Sequence, residues 1–316
     1  MKVVIMGAGA LGALFGAVLA DGGEDVTLVE IRDEVVDLIG REGIKVTMPN
    51  GEVKNSRVGI TKNIQEAGIA DLVIVAVKSF ATENAVKGAM PAIGDTTYVM
   101  SVQNGAGNIE IVAQVLGDET RSIGGVFLSS VTPVKPNEFI YVYGAGGLRI
   151  GPLSGVLTPM LDKIVESFRQ SGMEIEIAEN VQDLVWNKVL MNVVNCLAAT
   201  LEVTNNEFLE YPSNIPLIRG IVTEAAEVAK AKGIHLSNPD DPVAPLMGAL
   251  ESFRAAGQKG KASMLQDIER KSRTEIDALN GTIVAEGKKY GIATPYNEVF
   301  TYIIKSKEER ILAKGG

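Results

Sequence analysis

The stretch that most restricts the fold is at the start of the chain. Lys2-Val-Val-Ile-Met6 runs into Gly7-Ala8-Gly9-Ala10-Leu11-Gly12, an apolar run follows to Ala20, and a second apolar segment, Val26-Thr-Leu-Val-Glu30, ends in a carboxylate. Strand, G-x-G-x-x-G turn, helix and acidic-ended strand form the opening βαβ unit of a parallel sheet that binds a dinucleotide. Gly7 permits the tight turn, Gly9 lets backbone approach a pyrophosphate, and Gly12 lets helix and strand pack closely. The helix N-terminus offers its unpaired N–H groups and partial positive charge to the phosphates. The spacing therefore marks Gly7, Ala8, Gly9, Ala10, Leu11 and Gly12 as cofactor-binding, with Glu30 at the adenosine ribose. Arg32, two residues on, is the alternative reader of that position.

Length and composition set the remaining bounds. A chain of 316 residues with 46% apolar content supports two domains and a sizeable core. A formal net charge of −9 argues against nucleic-acid and anionic-membrane partners, which want a basic face. The single cysteine, Cys196, excludes an internal disulfide and a cysteine metal cluster, so no metal is expected. No run approaches the ~18 apolar residues of a membrane span, and the short apolar run after Met1-Lys2 ends in glycines rather than extending as a signal peptide would. A soluble, cytoplasmic protein is expected. The only histidine, His235, follows a helix end, where it is comfortable without a catalytic role. A proton donor is therefore sought among lysines and carboxylates.

Along the chain, residues 32–41 read as a surface helix, and segments 44–48 and 52–58 flank the hairpin signal Pro49-Asn-Gly51. Asp71–Val77 is a continuous apolar strand of the buried parallel kind, with Lys78 at its C-terminal end. A helix over 80–90 and a strand over 97–102 lead into Gln103-Asn104-Gly105-Ala106-Gly107. In open α/β sheets ligands sit at the C-terminal strand edge, so the glycine loop, Glu30, Lys78 and Asn104 are expected to converge there. Strands are predicted over 123–131, 138–143, 148–151 and 174–177, and a helix over 156–171. Beyond residue 181 only helical periodicity remains, over 183–201, 216–231, 242–256, 268–290 and 295–307. The expected architecture is α/β: a Rossmann-type domain over 1–178, then an all-helical domain over 179–316.

The helical half carries a polar stripe. At about 100° per residue, Lys188, Asn192 and Asn195 fall within a ~60° sector of an otherwise apolar helix. The apolar flanks Val185, Leu190, Met191, Val193, Val194 and Leu197 leave little room for a solvated face, which favours a stripe facing a ligand. A second constellation is Ser263-Met-Leu-Gln-Asp267 followed by Thr274-Glu275-Ile-Asp277. By themselves Ser263 reads as a helix cap and Glu275 as a surface carboxylate.

The glycine fingerprint, Gln103-Asn-Gly105, Trp186-Asn-Lys188 with Asn192, Ser263-Met-Leu-Gln-Asp267 and Thr274-Glu-Ile-Asp277 together resemble the ketopantoate reductase (2-dehydropantoate 2-reductase) family, in matching order over nearly the whole chain. The resemblance implies hydride transfer from NADPH or NADH to the ketone of 2-dehydropantoate, giving pantoate, on the way to pantothenate and coenzyme A. It implies Lys188 as catalytic lysine and general acid, and Glu275 as catalytic, substrate-binding carboxylate. It places Asn104 near the nicotinamide, Lys78 on the cofactor, and Asn192 and Ser263 on the substrate, with Asn195 beside them. Where the family has an asparagine eight residues after the lysine, this chain has Cys196; a further asparagine is replaced by Gly260. Both departures bear on the substrate more than on the chemistry. On one straight helix Ser263 and Glu275 would lie ~18 Å apart, so the chain must bend between them if both touch a small molecule.

A 2-oxo acid needs its carboxylate held, its ketone polarised and a proton delivered as hydride arrives. A lysine ammonium with a pKa lowered by desolvation suits the last two. The competing readings are an NAD-dependent D-2-hydroxy-acid dehydrogenase on the same scaffold and a non-enzymatic Rossmann regulator that senses NAD(H). Family habit favours NADPH, whereas Glu30 would repel a 2′-phosphate and weakly favours NADH. The partner is a small 2-oxo acid, and a homodimer is compatible with the sequence.

Overall fold

A computed structural model describes residues 1–142, 146–204, 207–257 and 260–314. The chain divides into two units, the first being Met1–Gln103 with Asn108–Val181 and the second Asn104–Gly107 with Gln182–Gly316.

In the first unit the apolar run after Lys2 becomes β1 (Lys2–Met6), paired in parallel with β2 (Asp25–Val29). The remaining strands are β3 (Ile44–Thr47), β4 (Val53–Ser56), β5 (Gly59–Thr61), β6 (Leu72–Val75), β7 (Tyr98–Ser101), β8 (Ser122–Phe127), β9 (Ser130–Lys135), β10 (Glu138–Val142), β11 (Leu148–Pro152) and β12 (Ile175–Ile177). Eight of them form one sheet in the order β12-β11-β8-β7-β6-β1-β2-β5, parallel except where β11 runs against β8. The chain leaves β1 towards β2 on one side and returns to β6 on the other, so the topological switch point lies at the C-terminal ends of β1 and β6. Side chains alternate across β1: Val3 and Ile5 enter one core, Val4 and Met6 the other.

The helices of this unit are α1 (Ala10–Asp21), α2 (Asp33–Glu42), α3 (Ile64–Ala67), α4 (Thr82–Ala89), α5 (Asn108–Leu116) and α6 (Pro159–Gln170). α4 and α5 cover the Val4 face. On the other face α1 is held between the large sheet and a second one of order β4-β3-β10-β9. Every residue from Gly12 to Leu19 is therefore buried, and this explains a helix apolar all round. Phe15 meets Phe127 and Phe168 edge to face, with ring centroids 5.6 and 5.4 Å apart.

One expectation here needs correction, and two elements were not foreseen. The run 123–131 is two strands, broken at Leu128-Ser129, because β8 belongs to the large sheet and β9 to the small one. β5, not foreseen in the sequence, is a separate strand that extends the large sheet past β2. α5, unforeseen in the sequence, begins directly after the Gln103–Gly107 loop. Tyr143, the last residue of the strand expected over 138–143, lies outside the described residues.

The second unit contains α7 (Val181–Asn192), α8 (Asn195–Leu201), α9 (Asn214–Ala231), α10 (Ala244–Ala255), α11 (Ser263–Glu269), one π-helical turn at Asp277–Gly281, α12 (Thr282–Tyr290) and α13 (Pro295–Lys314). Cys196, Leu197, Ala198 and Ala199 of α8 are wholly buried, and these small residues let α11 and α13 pack close upon it. The buried carboxylate of Glu224 accepts from the N–H groups of Tyr296 and Asn297 at 2.9 Å each, capping α13 with charge of the favourable sign.

Two long helices expected in this half are broken. The 183–201 helix divides after Asn192: the N–H groups of Leu197 and Ala198 both turn to the carbonyl of Val194, leaving that of Val193 without its helical partner. The 21 residues of Val181–Leu201 pass for a membrane span on length and mean hydropathy, yet Asp183, Asn187, Lys188, Asn192 and Asn195 interrupt the apolar run as expected, and half of the most apolar window is buried. The 268–290 helix also fails, since α11 ends at Glu269 and helical geometry resumes with the π turn. Lys271 sits between them at φ 56°, supplying the bend that Ser263 and Glu275 required.

Candidate active site

In the first unit the glycine loop stands at the switch point. Gly7 has φ +101°, and a Cβ there would lie 3.0 Å from the Val77 side chain just past β6. At Gly12 a Cβ would come within 2.1 Å of the Gly7 carbonyl oxygen, so nothing larger fits. Gly9 is different: a Cβ would meet nothing within 4 Å, and the residue stands at the N-cap of α1 with no side-chain cap. Two glycines are thus required by the protein's own packing, and the third leaves open space before a helix N-terminus. That space suits a pyrophosphate.

Glu30 is buried at the end of β2 and is densely bonded. Its Oε2 accepts from Ala8 N at 3.1 Å and Arg32 Nη2 at 2.9 Å, while its Oε1 accepts from Ile31 N, Arg32 N and Arg32 Nε at 2.9, 3.1 and 3.0 Å. Burial pushes the carboxyl pKa up, but the guanidinium and the N–H groups of Arg32 and Ala8 outweigh it and hold the group below its ordinary value. The bond to Glu30 in turn raises the Arg32 guanidinium. Glu30 and Arg32, read from the sequence as alternatives, form one bidentate pair tied to the glycine loop. Lys78 is half-buried at the start of a short 3₁₀ turn after β6. The sequence reading gave no role to Gln103, whose amide donates to the Val77 carbonyl and Thr82 hydroxyl at 2.8 Å each and so fastens the end of β7 to that of β6.

In the second unit Lys188 is half-buried on α7, and burial pushes its ammonium below the ordinary value of 10.5. One turn on, the Asn192 amide donates to Asn104 Oδ1 at 3.4 Å. Asn104 belongs to the short segment 104–107, seated on the π turn: Ala106 N donates to the Ala278 carbonyl at 3.0 Å, and a Cβ on Gly105 would lie 2.5 Å from that same oxygen. Glu275 is buried immediately before this turn, its own carbonyl accepting from Ala278 N and Leu279 N at 3.1 Å each. The preceding Thr274 N–H donates to buried Glu308 at 2.6 Å. Asn195 opens α8, and Ser263 opens α11, which packs on α8. Ser263 is exposed, and Ala262 takes the N-cap in its place.

Cys196 lies wholly within the core, its thiol donating to the Val193 carbonyl, and burial pushes its pKa up to about 12. In this chain that position packs in the core and makes no exposed polar group for a ligand. The Asn187 amide donates to the carbonyls of Asp183 and His235, and its oxygen accepts from Ser237 N. The exposed His235 ring lies 3.0 Å from Asp183. These contacts pin the start of α7 to the loop after α9, and no periodicity in the sequence signals them. Among the described residues no group of histidine, cysteine and carboxylate side chains is placed to hold a metal ion.

A mostly parallel sheet with a glycine loop at its switch point and a helical unit carrying a partly desolvated lysine fit the class that the comparisons give, a Rossmann-type NAD(P)-dependent oxidoreductase. Residues 3–155 match the ketopantoate reductase PanE/ApbA family and residues 180–308 its C-terminal part, and the chain belongs to that family. It is 32% identical over 309 residues to the 2-dehydropantoate 2-reductase of Pyrococcus horikoshii, covering 98% of each chain. The crystal structure of 2-dehydropantoate 2-reductase from Geobacter metallireducens superposes with a TM-score of 0.88 at 32% identity, covering 97% of this chain and 99% of that one. D-Mandelate dehydrogenase in ternary complex with NADH and anilino(oxo)acetate superposes with a TM-score of 0.87 at 26% identity, covering 98% and 99%.

Proposed function

We propose that this chain is a 2-dehydropantoate 2-reductase, converting the ketone of 2-dehydropantoate to the alcohol of pantoate. The observation that carries the reading is Lys188: a half-buried ammonium with a lowered pKa, one helical turn from an asparagine bonded to Asn104. In the reaction the hydride bonds to the ketone carbon, the C=O electron pair moves to oxygen, and Lys188 Nζ delivers the proton to that oxygen. Lys188 is then reprotonated from solvent. Asn192, Asn195 and Ser263 are uncharged partners for the substrate carboxylate and carbonyl, and Glu275 accepts from the distal hydroxyl.

The nicotinamide cofactor supplies the hydride. Its pyrophosphate fits the open space at Gly9, held by residues 7–12, with Lys78 on the cofactor and Asn104 at the nicotinamide end. Residues 1–178 act as the nucleotide-binding domain and residues 179–316 as the substrate domain, in a cytoplasmic enzyme. For the adenosine ribose we propose a preference for NADH. Glu30 places a carboxylate at the end of β2 and keeps the Arg32 guanidinium engaged, so a 2′-phosphate would have to displace that pair.

The test is a panel of 2-oxo acids assayed with NADH and NADPH separately. The highest kcat/KM is expected for 2-dehydropantoate. The structural likeness to D-mandelate dehydrogenase supports a second reading, reduction of hydroxyl-free 2-oxo acids, which wins if those are turned over faster than 2-dehydropantoate.

A further inference from the structure

Asn280 is completely buried in the π turn that follows Glu275. Its amide nitrogen donates to the Val193 carbonyl at 2.9 Å and to Asn297 Oδ1 at 3.0 Å, and lies 3.4 Å from Cys196 Sγ. Its own Oδ1 is buried with no hydrogen-bond partner among the described residues. That oxygen goes unpaired while the amide nitrogen serves two buried acceptors, so an apolar replacement would deprive the Val193 carbonyl and Asn297 Oδ1 of this donor and cost stability.

The Val193 carbonyl explains why an amide is there. In a continuous helix it would accept from Leu197 N; instead that N–H bonds Val194, and the carbonyl accepts from Asn280 and from the Cys196 thiol. The Asn280 amide thus takes the place of the helical donor at the break. α7, with Lys188 and Asn192, ends before the break; α8, with Asn195 and packed against the α11 of Ser263, begins after it. Asn280 itself is five residues beyond Glu275. On the other side Asn297 donates to the Ile221 carbonyl and to Glu224 at 3.0 and 2.7 Å, anchoring Asn280 to α9.

We infer that Asn280 is a positioning residue for the reduction: by holding the α7–α8 break open it sets Asn195 and Ser263 against Lys188, Asn192 and Glu275. This rests on the proposed function. With the amide gone, the Val193 carbonyl is free to bond Leu197 N, and α8 rotates out of register with α7.

Asn280→Leu and Asn280→Asp, each assayed as the full chain, test it. Rates are expressed per NADH-binding site so that loss of folded protein does not count. Asn280→Leu is expected to melt lower, because Asn297 Oδ1 loses its donor, but to bind NADH like wild type and to lose about 30–100-fold in per-site kcat/KM for the 2-oxo acid. In Asn280→Asp the carboxyl donates only when protonated, so activity should recover as pH falls through the acid range, where Lys188 is already protonated and wild type is flat. Per-site kinetics of Asn280→Leu within about twofold of wild type would reduce Asn280 to a packing residue and overturn the inference. So would an Asn280→Asp profile parallel to wild type. If Lys188→Ala also retains full activity, the proposed site itself has failed; if Lys188→Ala is inactive while Asn280→Leu is normal, only the positioning role has.

Discussion

The two units build their candidate sites from different materials. In the first, the candidate cradle is backbone: two glycines are forced because a Cβ would lie 3.0 and 2.1 Å from its neighbours, and a third leaves space. In the second, the site is side chains borne on interrupted helices: Lys188 and Asn192 before a break, Asn195 after it, Ser263 and Glu275 on either side of a bend. A backbone site depends on a short local pattern and is hard to alter without refolding. A side-chain site depends on where helices stop, so substitution can remove its chemistry while leaving its scaffold intact.

The strongest test of that contrast is Lys188→Ala. It should lower kcat by about 10²–10⁴-fold with NADH affinity unchanged, since the cradle is independent of the proton donor. Stopped-flow reduction alongside NADH titration measures both, and loss of NADH binding would erase the distinction between the units. Glu275→Ala should act mainly on KM: losing a charge-assisted hydrogen bond costs about 1.5–3 kcal/mol, or roughly 10–150-fold. The effect should be confined to substrates with a distal hydroxyl, and equal losses on hydroxyl-free 2-oxo acids would make Glu275 a structural group.

Glu30→Ser probes a place where the first unit relies on side chains. Release of Arg32 should move the ratio of kcat/KM for NADPH over NADH upward by about tenfold. A wild type that already favours NADPH by that margin would show that Arg32 reads the 2′ position with Glu30 in place. The smallest effect is on stability. Because the Lys188 pKa is lowered by folding, the unfolded chain binds more protons between that value and about 10.5, and stability rises with pH across the window. Lys188→Met should therefore melt higher than wild type at neutral pH, with the gain vanishing above the window. In reduction, which needs the protonated amine, wild-type kcat should fall as pH rises through the lowered pKa.

Much of the first unit was legible because its determinants are contiguous. Glycine spacing, the apolar run of β1 and the carboxylate at Glu30 lie within one βαβ unit, and the sheet follows from it. The second sheet was not legible, because its strands come from segments far apart and its purpose, to cover α1, appears only once they meet. In the helical unit periodicity found the helices but missed their breaks. Val193 and Val194 look like ordinary helix interior, and only tertiary partners such as Asn280 and Cys196 show why the ladder changes there. Lys188, Asn192 and Asn195 stood out as polar residues in an apolar helix. Ser263 and Glu275 did not, and came from family resemblance alone.

The burial of α1 on every side also has a dynamic consequence. With Gly12–Leu19 enclosed between two sheets, the hydrogen-bonded interior of the helix has no wetted face, so those amides should exchange with solvent only when the surrounding unit opens, while the N–H groups of its open first turn exchange freely. The interior of the helix proposed to face the phosphates is thus expected to be strongly protected. Nucleotide binding then meets a cradle whose ordering cost was met during folding, and any tightening on binding falls to the half-exposed Arg32 side chain.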